Sequence, residues 1–179
     1  MTHCGRPRIL KALTGITELD KVLWRLSAAQ SRDEADEAMI ELAEIAPLHI
    51  EALDTLYETN SYQRMPLIWC LIGQTNRSAV ELFSKAIKDR DQYTRWAAAT
   101  ALARCRNRQA SSLLVYALKD RSHLVKHTAV DAMALARFQD PDAIPQLKRI
   151  VASSHLQRVA PGMIRAAKKA LHVCQDSNK

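Results

Sequence analysis

Glycine and proline are scarce, with four and six in 179 residues. A sandwich or barrel needs a tight turn at roughly 8–12-residue intervals, and this chain lacks the residues to build them. Aromatic residues make up only 5%, while Ala and Leu dominate, which favours helices packed closely through small side chains. No apolar run approaches the ~20 residues a bilayer crossing takes. Met1 to Leu10 is polar, carries Arg6, Pro7 and Arg8, and lacks the apolar stretch of a secretory signal, so a cytoplasmic location is expected. The four cysteines (Cys4, Cys70, Cys105, Cys174) are scattered, without a C-x-x-C pair, and read as small buried thiols rather than disulfides or zinc ligands. What remains is ordinary: 47% apolar and 25% charged residues exclude disorder, and the length suits one domain with a sizeable core.

Charge is unevenly placed. Residues 1–60 hold six Lys/Arg against eleven Asp/Glu, a net −5, and residues 61–179 hold twenty against eight, a net +12. The second stretch would attract anionic surfaces and the first would repel them.

Self-similarity at an offset of 31 residues is the strongest signal. Arg64, Arg95 and Lys126 fall in register, as do Leu71, Leu102 and Met133, and Cys70, Ala101 and Ala132. Ala79, Leu82, Phe83, Ala86 and Ile87 match Ala110, Leu113, Leu114, Ala117 and Leu118, and Lys88-Asp89 matches Lys119-Asp120. After two extra residues the pattern resumes with Ala143, Leu147 and Val151.

Each unit reads as two amphipathic helices. Trp96, Ala97, Ala98, Ala101, Leu102 and Cys105 face one way on a first helix, and a second helix runs from about Ala110 to Lys119. Asp91 and Ser122 stand where helix N-caps belong. The short links Arg106-Asn107-Arg108 and Gln139-Asp140-Pro141-Asp142 make each pair antiparallel. Upstream, Thr17 to Ala29 reads as a helix, and Asp33–Ile45 with Leu48–Glu58 as a looser pair. Downstream, Pro161-Gly162 interrupts the pattern before a last helix over Met163–Val173. The expectation is an all-α chain, an α-solenoid of about five helix pairs forming one domain over 1–179. Its atypical N-terminal units cover 17–59, the regular units 60–152 and the C-terminal cap 153–174.

The pattern Asp-x-x-x-x-x-Arg-x-x-Ala-x-x-Ala-Leu appears as Asp89, Arg95, Ala98, Ala101 and Leu102, and again as Asp120, Lys126, Ala129, Ala132 and Met133. It resembles HEAT repeats, in the short form of phycobilisome-lyase-type HEAT-like proteins. The resemblance implies a right-handed stack with first helices on the convex side and second helices lining the concave side. It also implies structural roles for Asp89, Arg95, Asp120 and Lys126, tying adjacent units together. Lys126 departs from the usual Arg and makes a less directional tie. The architecture carries no chemistry of its own and specifies a scaffold.

No catalytic set stands out. The glycines are isolated, so no phosphate loop forms, and neither a G-x-S-x-G nor an H-E-x-x-H pattern occurs. His123 and His127 share a helix face at i, i+4, but no carboxylate is expected to complete a metal site with them. Some DNA glycosylases are built from HEAT-like repeats and grip bases with aromatic residues. Trp24, Trp69 and Trp96 form no such cluster beside a carboxylate and are expected to pack in the core or between repeats. Glu34, Asp36, Glu37, Glu41 and Glu44 make a solvated acidic helix surface. No enzyme activity, cofactor or metal is expected.

Outward slots on the second helices place Lys85, Tyr116 and Arg149 in one ladder, with Lys88 and Lys119 a turn further on. Arg104, Arg106, Arg108, Arg121 and Arg137 add positive charge at unit ends. The expected function is a non-catalytic scaffold whose basic concave face, through Lys85, Lys88, Tyr116, Lys119 and Arg149, docks an acidic segment of a protein partner. Nucleic-acid binding through phosphate contacts is the alternative that charge leaves open. A lyase-assisting role is implied by the family resemblance alone.

Overall fold

A computed structural model describes residues 17–59, 64–135, 138 and 140–176, and every regular element among them is helical. His3, Cys4, Arg6, Arg8, Arg137 and Gln139 lie outside the described residues. The chain divides between Leu71 and Ile72 into two compact units. The boundary falls inside the first copy of the 31-residue pattern.

The first unit contains α1 (Thr17–Ala28), α2 (Arg32–Ile45), a 3₁₀ turn (Ala46–Leu48), α3 (Ile50–Thr59) and α4 (Arg64–Trp69). Ser31 opens α2 by accepting the Glu34 N–H on its side chain, one of the amides a helix start leaves without an internal partner. The expected pairing of α2 with α3 is corrected: α2 packs chiefly on α1, and α3 on the 3₁₀ turn and α4. Leu19, Val22 and Leu23 bury one face of α1, Ala38 and Leu42 bury a face of α2, and Arg25 bridges to Glu41. Pro47 sits in the 3₁₀ turn, where its missing N–H breaks the path of α2. Trp24 is 54% exposed and Trp69 38% exposed, contrary to the packing expected of them. Cys70 is buried, and loss of solvation pushes its thiol pKa up to about 12.

The second unit contains α5 (Arg77–Ala86), α6 (Gln92–Cys105), α7 (Arg108–Ala117), α8 (His123–Leu135), α9 (Ile144–Ala152), α10 (Ser154–Val159) and α11 (Pro161–Asp176). Within it, α6, α8 and α11 pack side by side as one layer, with α5, α7 and α9 against them as a second. Ala97, Ala98 and Ala101 of α6 and Ala129 and Ala132 of α8 are all buried, and these small side chains let the helices approach closely. Leu82, Phe83, Leu102, Leu114, Met133 and Leu147 fill the space between the layers. Asn76 and Asn107 cap α5 and α7, each accepting the N–H three residues on.

Asp91 caps α6 by accepting the Thr94 N–H at 2.7 Å, as its position predicts. Ser122 departs from expectation. Its carbonyl accepts the Lys126 N–H at 3.1 Å, but among the described residues its hydroxyl makes no capping bond. Helix α10 is a separate element that the repeat pattern does not predict; Ser153 starts it by accepting the Leu156 N–H. Helix α11 begins at Pro161, so that proline opens the last helix, where its missing N–H costs nothing.

Candidate functional site

Two loops of the second unit carry the same triplet, 31 residues apart. Lys88-Asp89-Arg90 leads from α5 into α6, and Lys119-Asp120-Arg121 leads from α7 into α8. Each aspartate turns its loop in the same way. Asp89 Oδ1 accepts the Asp91 N–H at 2.9 Å, and Asp120 Oδ1 accepts the Ser122 N–H at 2.7 Å. A carboxylate that bonds the amide two residues on fixes a tight turn without glycine.

Arg95, in the first turn of α6, joins the two loops. Its Nε donates to Asp120 Oδ2 at 2.7 Å and its Nη2 to Asp120 Oδ1 at 3.0 Å. Its Nη1 donates to the carbonyls of Asp89 and Arg90, both at 2.9 Å. One planar guanidinium thus holds the carboxylate of one triplet and the backbone of the other, a geometry an ammonium cannot reproduce. The hydrogen bond to Asp120 raises the Arg95 pKa against the opposing effect of burial. Burial pushes the Asp120 carboxyl up, but the bonds from Arg95 and from the Ser122 amide outweigh it and hold the group below its ordinary value.

Above this floor lies an open depression of about 410 Å³, lined by the two triplets, Arg95 and Tyr116. Five cations and two carboxylates face it, and one of the carboxylates is closed off by Arg95. Lys88, Arg90, Lys119 and Arg121 are exposed, and none of the four forms an ion pair among the described residues. Arg121 Nη2 reaches back to the Arg90 carbonyl at 3.3 Å, which ties the second loop to the first. Tyr116, in the last turn of α7, is 49% exposed and supplies an aromatic wall.

Of the residues singled out from the sequence, Lys88, Tyr116 and Lys119 come together here, with Asp89, Arg95 and Asp120 beneath them. Lys85 on α5 and Arg149 on α9 are exposed but do not line the depression. Lys126 makes no ion pair among the described residues. In the lengthened register, Ser153 stands where Asp120 stands one unit earlier, so no carboxylate answers it. Helical spacing does not reach Arg90, and it marks Arg121 only as a basic unit end. The recurrence of the whole Lys-Asp-Arg triplet is the sequence signal that identifies both.

The histidines divide differently from expectation. Asp131 lies one turn beyond His127 and bonds it, Nδ1 to Oδ2, at 3.0 Å, so a carboxylate stands beside His127 alone. His123 instead meets His155, with ring centroids 6.2 Å apart. Among the described residues no three His, Cys, Asp or Glu side chains gather as a metal site would require. No described helix is long and apolar enough to cross a membrane.

No curated protein matches the sequence. A family model described as HEAT repeats matches residues 79–168, half the chain, running from α5 into α11 and taking in both triplets and the arginine between them. The chain belongs to the HEAT-repeat family.

Proposed function

We propose that this HEAT-repeat chain is a non-catalytic scaffold that holds an acidic segment of a protein partner at the depression between its two Lys-Asp-Arg loops. The carrying observation is that four exposed cations, none of them in an ion pair among the described residues, converge on one concavity whose floor is already fixed by Arg95. A site so held needs little rearrangement on binding, which spares the ordering cost that weakens contacts made by mobile loops. Tyr116 is the anchor, since an amphipathic ring buries area while its hydroxyl stays wet. Lys88 and Lys119 steer the segment in, and Lys85 and Arg149 extend the positive field along α5 and α9.

The test is a fluorescence-anisotropy titration with degenerate peptide pools rich in Asp and Glu, at about 0.15 M salt, a level that screens distant charges. Lys88→Gln/Tyr116→Ala/Lys119→Gln should abolish binding and leave the helical signal and melting temperature unchanged. Binding that survives the triple substitution contradicts the assignment. The positive surplus over 61–179 favours nucleic acid as a second reading, so duplex DNA is titrated alongside. Tighter binding to the duplex, falling steeply with salt, would replace the first reading.

A further inference from the structure

We infer that the depression between the two Lys-Asp-Arg loops takes one phosphorylated side chain, a phosphoserine or phosphothreonine, of the docked segment; this rests on the docking proposed above. Three features of the molecule carry it.

The first is the count of charges. Lys88, Arg90, Lys119 and Arg121 all line the depression, and none is paired with a carboxylate among the described residues. Like charges held around one concavity repel one another. A single carboxylate offsets one of them, whereas a phosphate monoester carries close to two negative charges at neutral pH and three strong acceptor oxygens. Two guanidinium groups offer flat, forked donors that match phosphate oxygens, and two ammonium groups add point charges beside them.

The second is rigidity. Arg95 bonds the Asp89 and Arg90 carbonyls and the Asp120 carboxylate together, and Arg121 bonds the Arg90 carbonyl. The backbone of Arg90 and the guanidinium of Arg121 are therefore held to one another before any ligand arrives, and the exposed Arg90 side chain projects from a fixed base.

The third is that the cationic doublet is confined to one place. In the repeat register the triplet positions one unit earlier are Tyr57-Glu58-Thr59, and one unit later Ala152-Ser153-Ser154. Neither carries a cation. A nucleic-acid backbone presents phosphates in series and calls for the same cations in unit after unit; here two facing triplets meet once, which suits one isolated dianion on a peptide.

The experiment uses the full chain and degenerate peptide pools with a fixed central phosphoserine, phosphothreonine, Ser or Glu, titrated by fluorescence anisotropy. The phosphorylated pools should bind about tenfold more tightly than the Ser pool and more tightly than the Glu pool. Arg90→Gln/Arg121→Gln should erase that preference, as should Lys88→Gln/Lys119→Gln, which leaves the Arg121 bond to the Arg90 carbonyl in place. Lys168→Gln/Lys169→Gln, the same charge loss on exposed positions of α11, should retain it. Equal binding of the Glu and phosphorylated pools overturns the phosphate inference while acidic docking stands. A phosphate preference that survives both double variants overturns the site. Failure of every pool, or duplex DNA binding more tightly than all of them, overturns the inference and the docking together.

Discussion

Arg95 and Asp120 lie 25 residues apart in sequence and form a two-pronged ion pair whose side chains are each only 6% exposed. Because the same guanidinium also holds the backbone of the preceding loop, this pair sets the distance between the two Lys-Asp-Arg triplets. Removing the carboxylate leaves a buried cation without its partner. Asp120→Ala should therefore destabilise the second unit by about 3 kcal/mol. Arg95→Lys, which copies the residue at 126, should cost about 1–2 kcal/mol through lost hydrogen bonds. Urea unfolding checks both, and a change in Asp120→Ala within the error of the midpoint would show that the pair does not hold the loops.

The same pair sets the acid limb of stability. Asp120 titrates below its ordinary value in the folded chain. Between the folded and unfolded values the unfolded chain binds more protons, so stability rises with pH through that window. The contribution is complete above the unfolded value, about pH 4, and is lost as pH falls through the folded one. The raised Arg95 value acts only far on the alkaline side and leaves this limb alone. Stability measured against pH should fall less steeply on the acid side in Asp120→Asn than in the parent chain. An identical acid limb in the two proteins contradicts the assignment.

Arg106 ends α6 with φ 42° and ψ 34°, a left-handed conformation in which a side chain crowds its own carbonyl at a cost of about 1–2 kcal/mol. Glycine carries no such penalty there, although it loses more freedom on folding. Arg106→Gly should raise stability by about 0.5–1 kcal/mol. Thermal unfolding decides it, and a lower melting temperature would mean that the arginine side chain contributes more than its backbone costs.

Leu102 and Leu118 are both almost fully buried, at corresponding depths in α6 and just after α7. Leu102→Ala and Leu118→Ala should each destabilise by about 2–5 kcal/mol, the lost transfer energy plus the cavity left behind. Chemical denaturation of each variant checks the values. Losses under about 1 kcal/mol would mean that the layers collapse to fill the gap.

The helices of the second unit were legible because Ala and Leu recur at one offset and because burial imposes that recurrence. Ala98 and Ala129, or Leu102 and Met133, occupy equivalent buried places, and a different size at either would disturb the layers. The first unit was less legible: α2 carries its apolar side toward α1, and the sequence alone does not say which neighbour a helix face will meet. Helix α10 was missed because its only local mark is the Ser153 cap before a six-residue turn.

The site was half legible for a similar reason. Helical spacing gives a direction to Tyr116, in the last turn of α7, but not to Arg90 or Arg121, which sit in loops beyond the helix ends. Their convergence follows from the aspartate turns and from Arg95, which are long-range and non-periodic features. Trp24 and Trp69 stand outside the core because bulk alone does not dictate burial.

The most direct measurement is a charge-reversal titration at about 0.15 M salt. Arg90→Glu/Arg121→Glu and the parent chain are each titrated by fluorescence anisotropy with one acidic and one lysine-rich peptide pool, with melting temperatures recorded to confirm folding. The parent should bind the acidic pool, and the variant should lose it and gain the lysine-rich pool. A folded variant that still binds the acidic pool as the parent does would place the docking surface elsewhere.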